Sequence, residues 1–81
     1  MPKKKRKASL EICYRLANNV KGFRETRGYT QEGLAKLCLL NKNSISNIEQ
    51  ALGNVTLATL EALAKGLSCT EEELLKHHAI A

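Results

Sequence analysis

Residues 30–50, with the sequence TQEGLAKLCLLNKNSISNIEQ, constrain the fold of this chain more than any other stretch. They contain two short helical patterns separated by about one turn, which is too little chain for a strand or for another sizeable element. Thr30 is the predicted N-cap of the first helix, which runs from Gln31 to Cys38, and Asn41 is the predicted N-cap of the second. This arrangement predicts a helix-turn-helix.

The second helix of the pair has two chemically different sides. Ile45 and Ile48, spaced i and i+3, are expected to face inward. Side chains with amide, hydroxyl and ammonium groups can hydrogen-bond the edges of bases, whereas a merely solvated face is usually built from Glu and Lys. We therefore predict that this helix recognises DNA through its polar residues, which are Lys42, Asn43, Ser44, Asn47 and Gln50.

The stretch from about Val20 to Leu74 resembles the lambda-repressor-like family of DNA-binding proteins, of the XRE or Cro type. No single residue is specific to this family, but the spacing of the matching residues taken together is. The resemblance implies an all-α fold, a five-helix lambda-repressor-like bundle that contains the helix-turn-helix. It is carried by Arg24, Gly28-Tyr29-Thr30-Gln31-Glu32, Leu34-Ala35, Ser44-Ile45-Ser46, Ile48-Glu49, Leu57, Leu60, Leu63-Ala64 and Leu67.

The chain departs from the family pattern where the family usually has glycine. Leu39 occupies the tight turn of the helix-turn-helix, where a non-glycine residue at positive φ is strained by roughly 1 kcal/mol. Ala51 stands soon after the recognition helix, so Gly53 is the candidate stop and the length of that helix is left open. Ser68 stands where a helix-ending glycine is common. Gly33, inside the first helix of the pair, costs about 1 kcal/mol relative to alanine.

The length and composition suit one small helical domain. The chain has 81 residues, 4% aromatic residues and no Trp, so its core must be aliphatic. The single proline is at position 2 and no stretch alternates in the manner of a strand. We expect one domain over residues 9–76 with a tail over 77–81, and no room for a separate sensing or catalytic domain.

Three further helices complete the predicted bundle. Ser9 can cap a first helix from Leu10 to about Thr26. Thr56 can cap a fourth, and Thr70 with Glu73 matches a capping box at the start of a fifth. The apolar residues of the fourth helix are predicted to form an inward stripe, made of Leu57, Leu60, Leu63, Ala64 and Leu67.

The whole formal charge of +5 lies in residues 1–8, MPKKKRKA, since the eight basic residues that follow are balanced by eight Glu. This basic arm is too charged to fold alone and is predicted to be disordered. Three interpretations compete: a DNA-binding arm, a solubilising segment, and a nuclear-import signal resembling PKKKRK. We favour the DNA arm, which would add a salt-sensitive attraction to any duplex. Its charged residues are Lys3, Lys4, Lys5, Arg6 and Lys7.

Base contacts are expected in the first turns of the recognition helix, which enter the major groove deepest in this motif. The Lys42 ammonium suits guanine O6 and N7, and the side-chain amide of Asn43 or Asn47 suits adenine N6 and N7. Ser44 can reach a base or a phosphate.

Phosphate contacts are expected at both ends of the helix-turn-helix. The resemblance implies that Gln31 binds a phosphate beside the N-terminus of its helix, and Gln50 is a second candidate. The resemblance also implies an ion pair between Arg24 and Glu49 that fixes the first helix to the recognition helix. Such a pair sets orientation more than stability, because desolvation offsets most of the attraction.

The sequence contains no recognisable motif for catalysis or metal binding. The three cysteines, Cys13, Cys38 and Cys69, are far apart, as expected for apolar core residues in a reducing cytosol. His77 and His78 are adjacent and cannot both face one metal on a helix. The chain has no Asp and no recognisable nucleophile with a base partner. We expect no enzyme activity, cofactor, metal or membrane span, and a cytoplasmic bacterial or phage protein unless PKKKRK directs nuclear import.

These features predict a regulator that binds double-stranded DNA sequence-specifically. One small domain buries too little DNA surface for a selective grip, so we expect a homodimer on a pseudo-palindrome. The family habit implies pairing through the C-terminal helix, where Leu75 and Ile80 could form an apolar patch. A Cro-like repressor and a restriction-modification controller are the two kinds of regulator that fit this description. The alternative is an antitoxin-like module that binds a protein partner with the same fold.

Overall fold

The computed structural model describes residues 9–52 and 54–77. The basic arm, Gly53 and residues 78–81, which include His78 and Ile80, lie outside the described residues. Regular structure in the described part is helical throughout, so the prediction of an all-α five-helix bundle is confirmed. The helices are α1 (Leu10–Thr26), α2 (Gln31–Cys38), α3 (Lys42–Glu49), α4 (Leu57–Leu67) and α5 (Glu71–Leu75).

Each helix begins with a side chain that accepts a hydrogen bond from a backbone N–H in the first turn. These N-caps are Ser9, Thr30, Asn41, Thr56 and Thr70, as the sequence predicts. At α5 the capping box is complete, because the Thr70 N–H donates to the Glu73 carboxylate at 3.0 Å. That backbone hydrogen bond lowers the pKa of Glu73 below its ordinary value.

The core is aliphatic and draws on all five helices. α1 packs against α3 and α5, and α2 packs against α3 and α4. Between α2 and α4 the approach is close, because a Cβ added to Gly66 would collide with Cys38 Sγ. The fully buried side chains are those of Val20, Leu34, Ile45, Leu63, Leu67 and Leu74.

Two helices end in a non-glycine residue with left-handed backbone, and a third such residue follows α3. Leu39 has φ 58°, Ala51 has φ 60° and Ser68 has φ 55°. Helix α3 ends at Glu49, and the Leu52 N–H closes its last turn on the Asn47 carbonyl at 2.9 Å. The idea that Gly53 stops this helix is therefore wrong, since Ala51 itself takes the left-handed conformation that glycine would have supplied.

Two helical leucines are exposed, and one of them, Leu57, is predicted from the sequence to face inward. Leu57 is 81% exposed, although it belongs to the predicted stripe of α4. It is the first residue of that helix, where the helix has only begun to meet the bundle, and one turn later Leu60 is 7% exposed. Leu37 of α2 is 52% exposed.

Candidate nucleic-acid interface

Helix α3 separates a buried side from an exposed one. Ile45 is fully buried and Ile48 is 7% exposed. Asn43 and Asn47, which lie one turn apart, are exposed, as is Lys42 in the first turn. Because the two isoleucines fix the rotation of the helix against the core, these three polar side chains are held outward together.

The N-terminal end of α3 favours an anion. The Asn41 side chain accepts the Ser44 N–H at 2.7 Å, which fixes the start of the helix. Lys42 opens the helix, and its first turn contains no acidic residue. The positive end of the helix dipole and the Lys42 ammonium therefore act in the same direction. Ser44 is half-buried beside them.

The other end of α3 carries Gln50, an exposed C-cap residue. Its Nε2 donates to Ser46 Oγ at 2.8 Å, within the same turn of the helix. The Gln50 amide group thus lies along the helix surface, and a contact between its Nε2 and a phosphate would replace this bond to Ser46.

Gln31 lies at the start of α2, where the Thr30 side chain accepts the Gly33 N–H at 2.9 Å. Its side chain is part of a polar junction, because Gln31 Nε2 donates to Glu49 Oε1 at 3.2 Å. The structure thereby orients the Gln31 amide by a carboxylate at the end of α3. The sequence shows no local signal for this contact, since the two residues are 18 positions apart.

Arg24 and Glu49 form a two-pronged ion pair between α1 and α3. Arg24 Nε donates to Glu49 Oε2 at 2.7 Å, and Arg24 Nη2 donates to Glu49 Oε1 at 3.0 Å. The side chains are 13% and 4% exposed, respectively. A third bond runs from Arg24 Nη1 to the Tyr29 carbonyl at 2.8 Å, in the turn between α1 and α2.

This junction holds α3 in a fixed position against α1. Hydrogen bonding to Glu49 raises the pKa of Arg24 above its ordinary value, while burial acts in the opposite sense. The guanidinium therefore stays charged and joins α1, the α1–α2 turn and α3. With Gln31 attached to the same carboxylate, the two helices of the helix-turn-helix share one anchor.

Metal-binding side chains are not clustered in the described residues. The part of the chain that the structure describes holds no cluster of three His, Cys or Glu side chains that could bind a metal. Burial raises the pKa of the Cys38 thiol, and burial with the nearby Glu73 raises that of Cys69, which favours the uncharged form of both. No helix within residues 9–52 and 54–77 combines the length and apolarity needed to cross a membrane.

Known proteins resemble this chain over the part that contains the helix-turn-helix. The sequence model of a family described as helix-turn-helix, HTH_3, matches residues 20–74. Control protein C.SmaI of Serratia marcescens is 35% identical over 75 residues, which are 86% of this chain and 89% of the relative. The match to the family spans α2, α3 and α4 in full, together with the Arg24 and Glu49 positions.

Two solved structures share the fold. The restriction-modification controller protein C.AhdI from Aeromonas hydrophila has a TM-score of 0.74 and 27% identity, covering 76% of this chain and 94% of that one. The hypothetical transcription factor NHTF from Neisseria has a TM-score of 0.78 and 28% identity, covering 90% of this chain and 85% of that one.

Proposed function

This chain belongs to the HTH_3 family of helix-turn-helix proteins, and we propose that it regulates transcription as a homodimer on a pseudo-palindromic DNA operator. Membership of the family makes it a DNA-binding regulator. The names of its relatives favour the type of regulator that controls a restriction-modification cluster, with a Cro-like repressor as the second possibility.

The observation that carries this proposal is the exposed row of Lys42, Asn43 and Asn47 on a helix whose other side is locked into the core. In a major groove, the Lys42 ammonium would donate to guanine O6 or N7. Either asparagine amide would make two hydrogen bonds with adenine N6 and N7. A helix tied to the bundle by a buried ion pair presents these groups with little loss of entropy on binding.

Phosphate contacts would hold the duplex on both sides of this row. Gln31 lies at the N-terminus of α2, where backbone N–H groups and the helix dipole favour an anion. Gln50 would take a second phosphate after releasing Ser46. Ser44, beside the start of α3, would reach a base or a phosphate. The arm, with Lys3 to Lys7, would add attraction that does not depend on sequence.

The experiment that tests the function is a selection of random duplex DNA on the purified full-length protein, with sedimentation to give the mass of the free and bound species. The expected result is a recovered palindrome, with half-sites about one helical turn apart, bound by two copies. Weak, salt-sensitive binding with no enriched sequence would contradict sequence-specific regulation.

Matched alanine variants then test which side chains read the bases. Asn43→Ala is expected to weaken the selected duplex by about 1–3 kcal/mol and to relax the preference at one base position. Lys42→Ala should do the same at another position. Asn18→Ala and Lys65→Ala remove the same groups from exposed positions on α1 and α4 and should leave affinity unchanged. Equal losses in the control variants would contradict the proposed reading face.

A further inference from the structure

The side chain that caps the recognition helix has a nitrogen that the cap does not use. Asn41 Oδ1 accepts the Ser44 N–H at 2.7 Å. Because a backbone N–H can only donate, the capping atom must be the amide oxygen and not Nδ2. The bond fixes the amide plane, and Nδ2 branches from the same carbon on the side away from Ser44. Asn41 is exposed, and no described residue accepts a hydrogen bond from its Nδ2.

Two other amides beside the recognition helix use their nitrogens within the protein. Gln31 Nε2 donates to Glu49 Oε1 at 3.2 Å, and Gln50 Nε2 donates to Ser46 Oγ at 2.8 Å. Each has therefore given one of its two N–H donors to a protein acceptor. Asn41 keeps both donors and is already held in one orientation. It can bind an acceptor outside the protein without breaking a bond inside it.

The surroundings of Asn41 Nδ2 favour a negatively charged acceptor. Lys42 follows directly, and the first turn of α3 contains no acidic residue. The first N–H groups of a helix lack partners within the helix and form its positive end. Since the Asn41 oxygen is occupied, this amide lacks the free acceptor that an asparagine needs to read adenine through two hydrogen bonds. A group that only donates, beside a helix N-terminus and an ammonium, suits a phosphate oxygen.

We propose that Asn41 Nδ2 donates a hydrogen bond to a phosphate oxygen of the bound duplex. This inference rests on the proposed function and adds a contact that positions the recognition helix. The same amide holds the first turn of α3 through its oxygen and the DNA backbone through its nitrogen. The phosphate is thereby placed at a fixed distance from Lys42 and Asn43, which follow in the first turn.

The choice of asparagine at this cap is what the proposal explains. Asp and Ser cap a helix about as well as Asn, so capping alone does not require an amide. An aspartate would keep the capping oxygen of residue 41, but it would replace both N–H donors with a charge that repels phosphate. Asn41→Asp therefore separates the two roles of the side chain.

The test measures the affinity of full-length Asn41→Asp for the duplex recovered by selection, using fluorescence anisotropy. Affinity should fall at least about tenfold, because a charge-assisted hydrogen bond is replaced by repulsion. Asn18→Asp is the matched control, since it makes the same change at an exposed position of α1. It should cost at most about twofold, because salt screens an exposed charge away from the duplex. Thermal melts of Asn41→Asp should match or exceed the wild type, since a carboxylate is favoured at a helix N-terminus.

A second measurement distinguishes a phosphate from a base edge. The phosphates of the selected duplex are replaced one at a time by neutral methylphosphonate. At one position in each half-site, this replacement should shrink the affinity ratio between the wild type and Asn41→Asp, because the repelling charge is gone. A ratio that no methylphosphonate alters, but that a single base-pair change does alter, would overturn the phosphate contact.

The outcomes separate this inference from the proposed function. Equal losses for Asn41→Asp and Asn18→Asp overturn the phosphate contact, while the selected palindrome and the dimer stand. If the wild type enriches no sequence, sequence-specific regulation fails, and the two variants are then compared on unselected duplex DNA. Because a phosphate contact does not depend on sequence, Asn41→Asp must still bind that DNA more weakly than Asn18→Asp. Equal binding there overturns the contact as well.

Discussion

Two turns between helices, each a corner of the bundle, have the same backbone conformation but are followed by side chains of different charge. The α2–α3 corner turns at Leu39 (φ 58°) and the α4–α5 corner at Ser68 (φ 55°). In both, the residue after the turn donates its N–H to a carbonyl five residues earlier at 2.9 Å. A new cap then follows at once, Asn41 in the first corner and Thr70 in the second. The corner is thus a backbone device that the chain uses twice.

The two corners differ in the charge at the start of the helix that follows. Helix α3 begins with Lys42 and has no acidic residue in its first turn. Helix α5 begins with Glu71, Glu72 and Glu73. The carboxylates stabilise the start of α5 but would repel a phosphate, whereas the start of α3 attracts one. The chain thus uses one backbone geometry twice, and the charge of the following helix makes only the α3 copy suited to an anion.

The two short helices are also anchored differently to α1. Helix α3 is held by the buried ion pair of Arg24 and Glu49. Helix α5 is held by α1 side chains that donate to its last carbonyls, with Asn19 Nδ2 reaching the Leu74 and Lys76 oxygens at 2.7 and 2.9 Å. Arg15 adds a longer bond to the Leu75 carbonyl at 3.5 Å. Sequence reasoning did not identify Arg15 or Asn19, although their i, i+4 spacing on α1 places them on one side.

The largest expected effect comes from breaking the α3 anchor. Glu49→Ala leaves the Arg24 guanidinium buried without its carboxylate and should destabilise the fold by about 3–5 kcal/mol in chemical denaturation. Glu25→Ala is the control, because Glu25 is 60% exposed and its contact with Arg24 is 3.9 Å long. That control should cost no more than about 1 kcal/mol. Similar losses for both variants would mean that the ion pair is not the anchor of α3.

The α5 anchor should give a smaller loss. Asn19→Ala removes two side-chain hydrogen bonds to backbone carbonyls and is expected to cost about 1–2 kcal/mol in the same denaturation experiment. Asn18→Ala, from the neighbouring exposed position, serves as its control and should be near neutral. A loss for Asn19→Ala as large as that for Glu49→Ala would remove the distinction between the two anchors.

Glycine at the two corners should stabilise the protein. Leu39→Gly and Ser68→Gly each relieve left-handed strain, offset in part by the greater freedom of glycine in the unfolded chain, for a net gain of about 0.5–1 kcal/mol. Leu37→Gly is the control, since Leu37 has helical backbone inside α2, and it should destabilise by about 1 kcal/mol or more. Thermal melts decide the sign, and a loss for Leu39→Gly would show that its exposed side chain stabilises the turn.

The smallest expected effect is a pH dependence at the α4–α5 corner. Because the folded-state pKa of Glu73 is lowered, its stabilisation is complete above the ordinary glutamate pKa of about 4.3. It is lost as the pH falls further through the folded-state pKa. The difference in melting temperature between the wild type and Glu73→Gln should therefore be present at neutral pH and shrink in acid. A difference that stays constant with pH would contradict this role for the Glu73 charge.

Much of the fold could be predicted because the relevant signals are local. The helix-turn-helix, its two caps and the start of the fifth helix each depend on a side chain and a backbone N–H three residues apart, such as Thr70 and Glu73. The end of α3 could not be predicted, because the preference for glycine at helix ends points to Gly53, whereas Ala51 adopts the left-handed conformation. The exposure of Leu57 could not be predicted either, because the spacing of apolar residues along a helix does not show where the neighbouring helices begin to cover it.

The sequence by itself determined the helices, their caps, the family and the polar row on the recognition helix, since periodicity and capping operate within a few residues. The tertiary structure alone decided which groups from distant positions meet. It brought Gln31 to the carboxylate that pairs with Arg24, and Asn19 to the end of α5, across 18 and 55 residues of chain. It also left Leu57 exposed at the start of α4. These outcomes depend on the packing of whole helices, and local patterns do not record that packing.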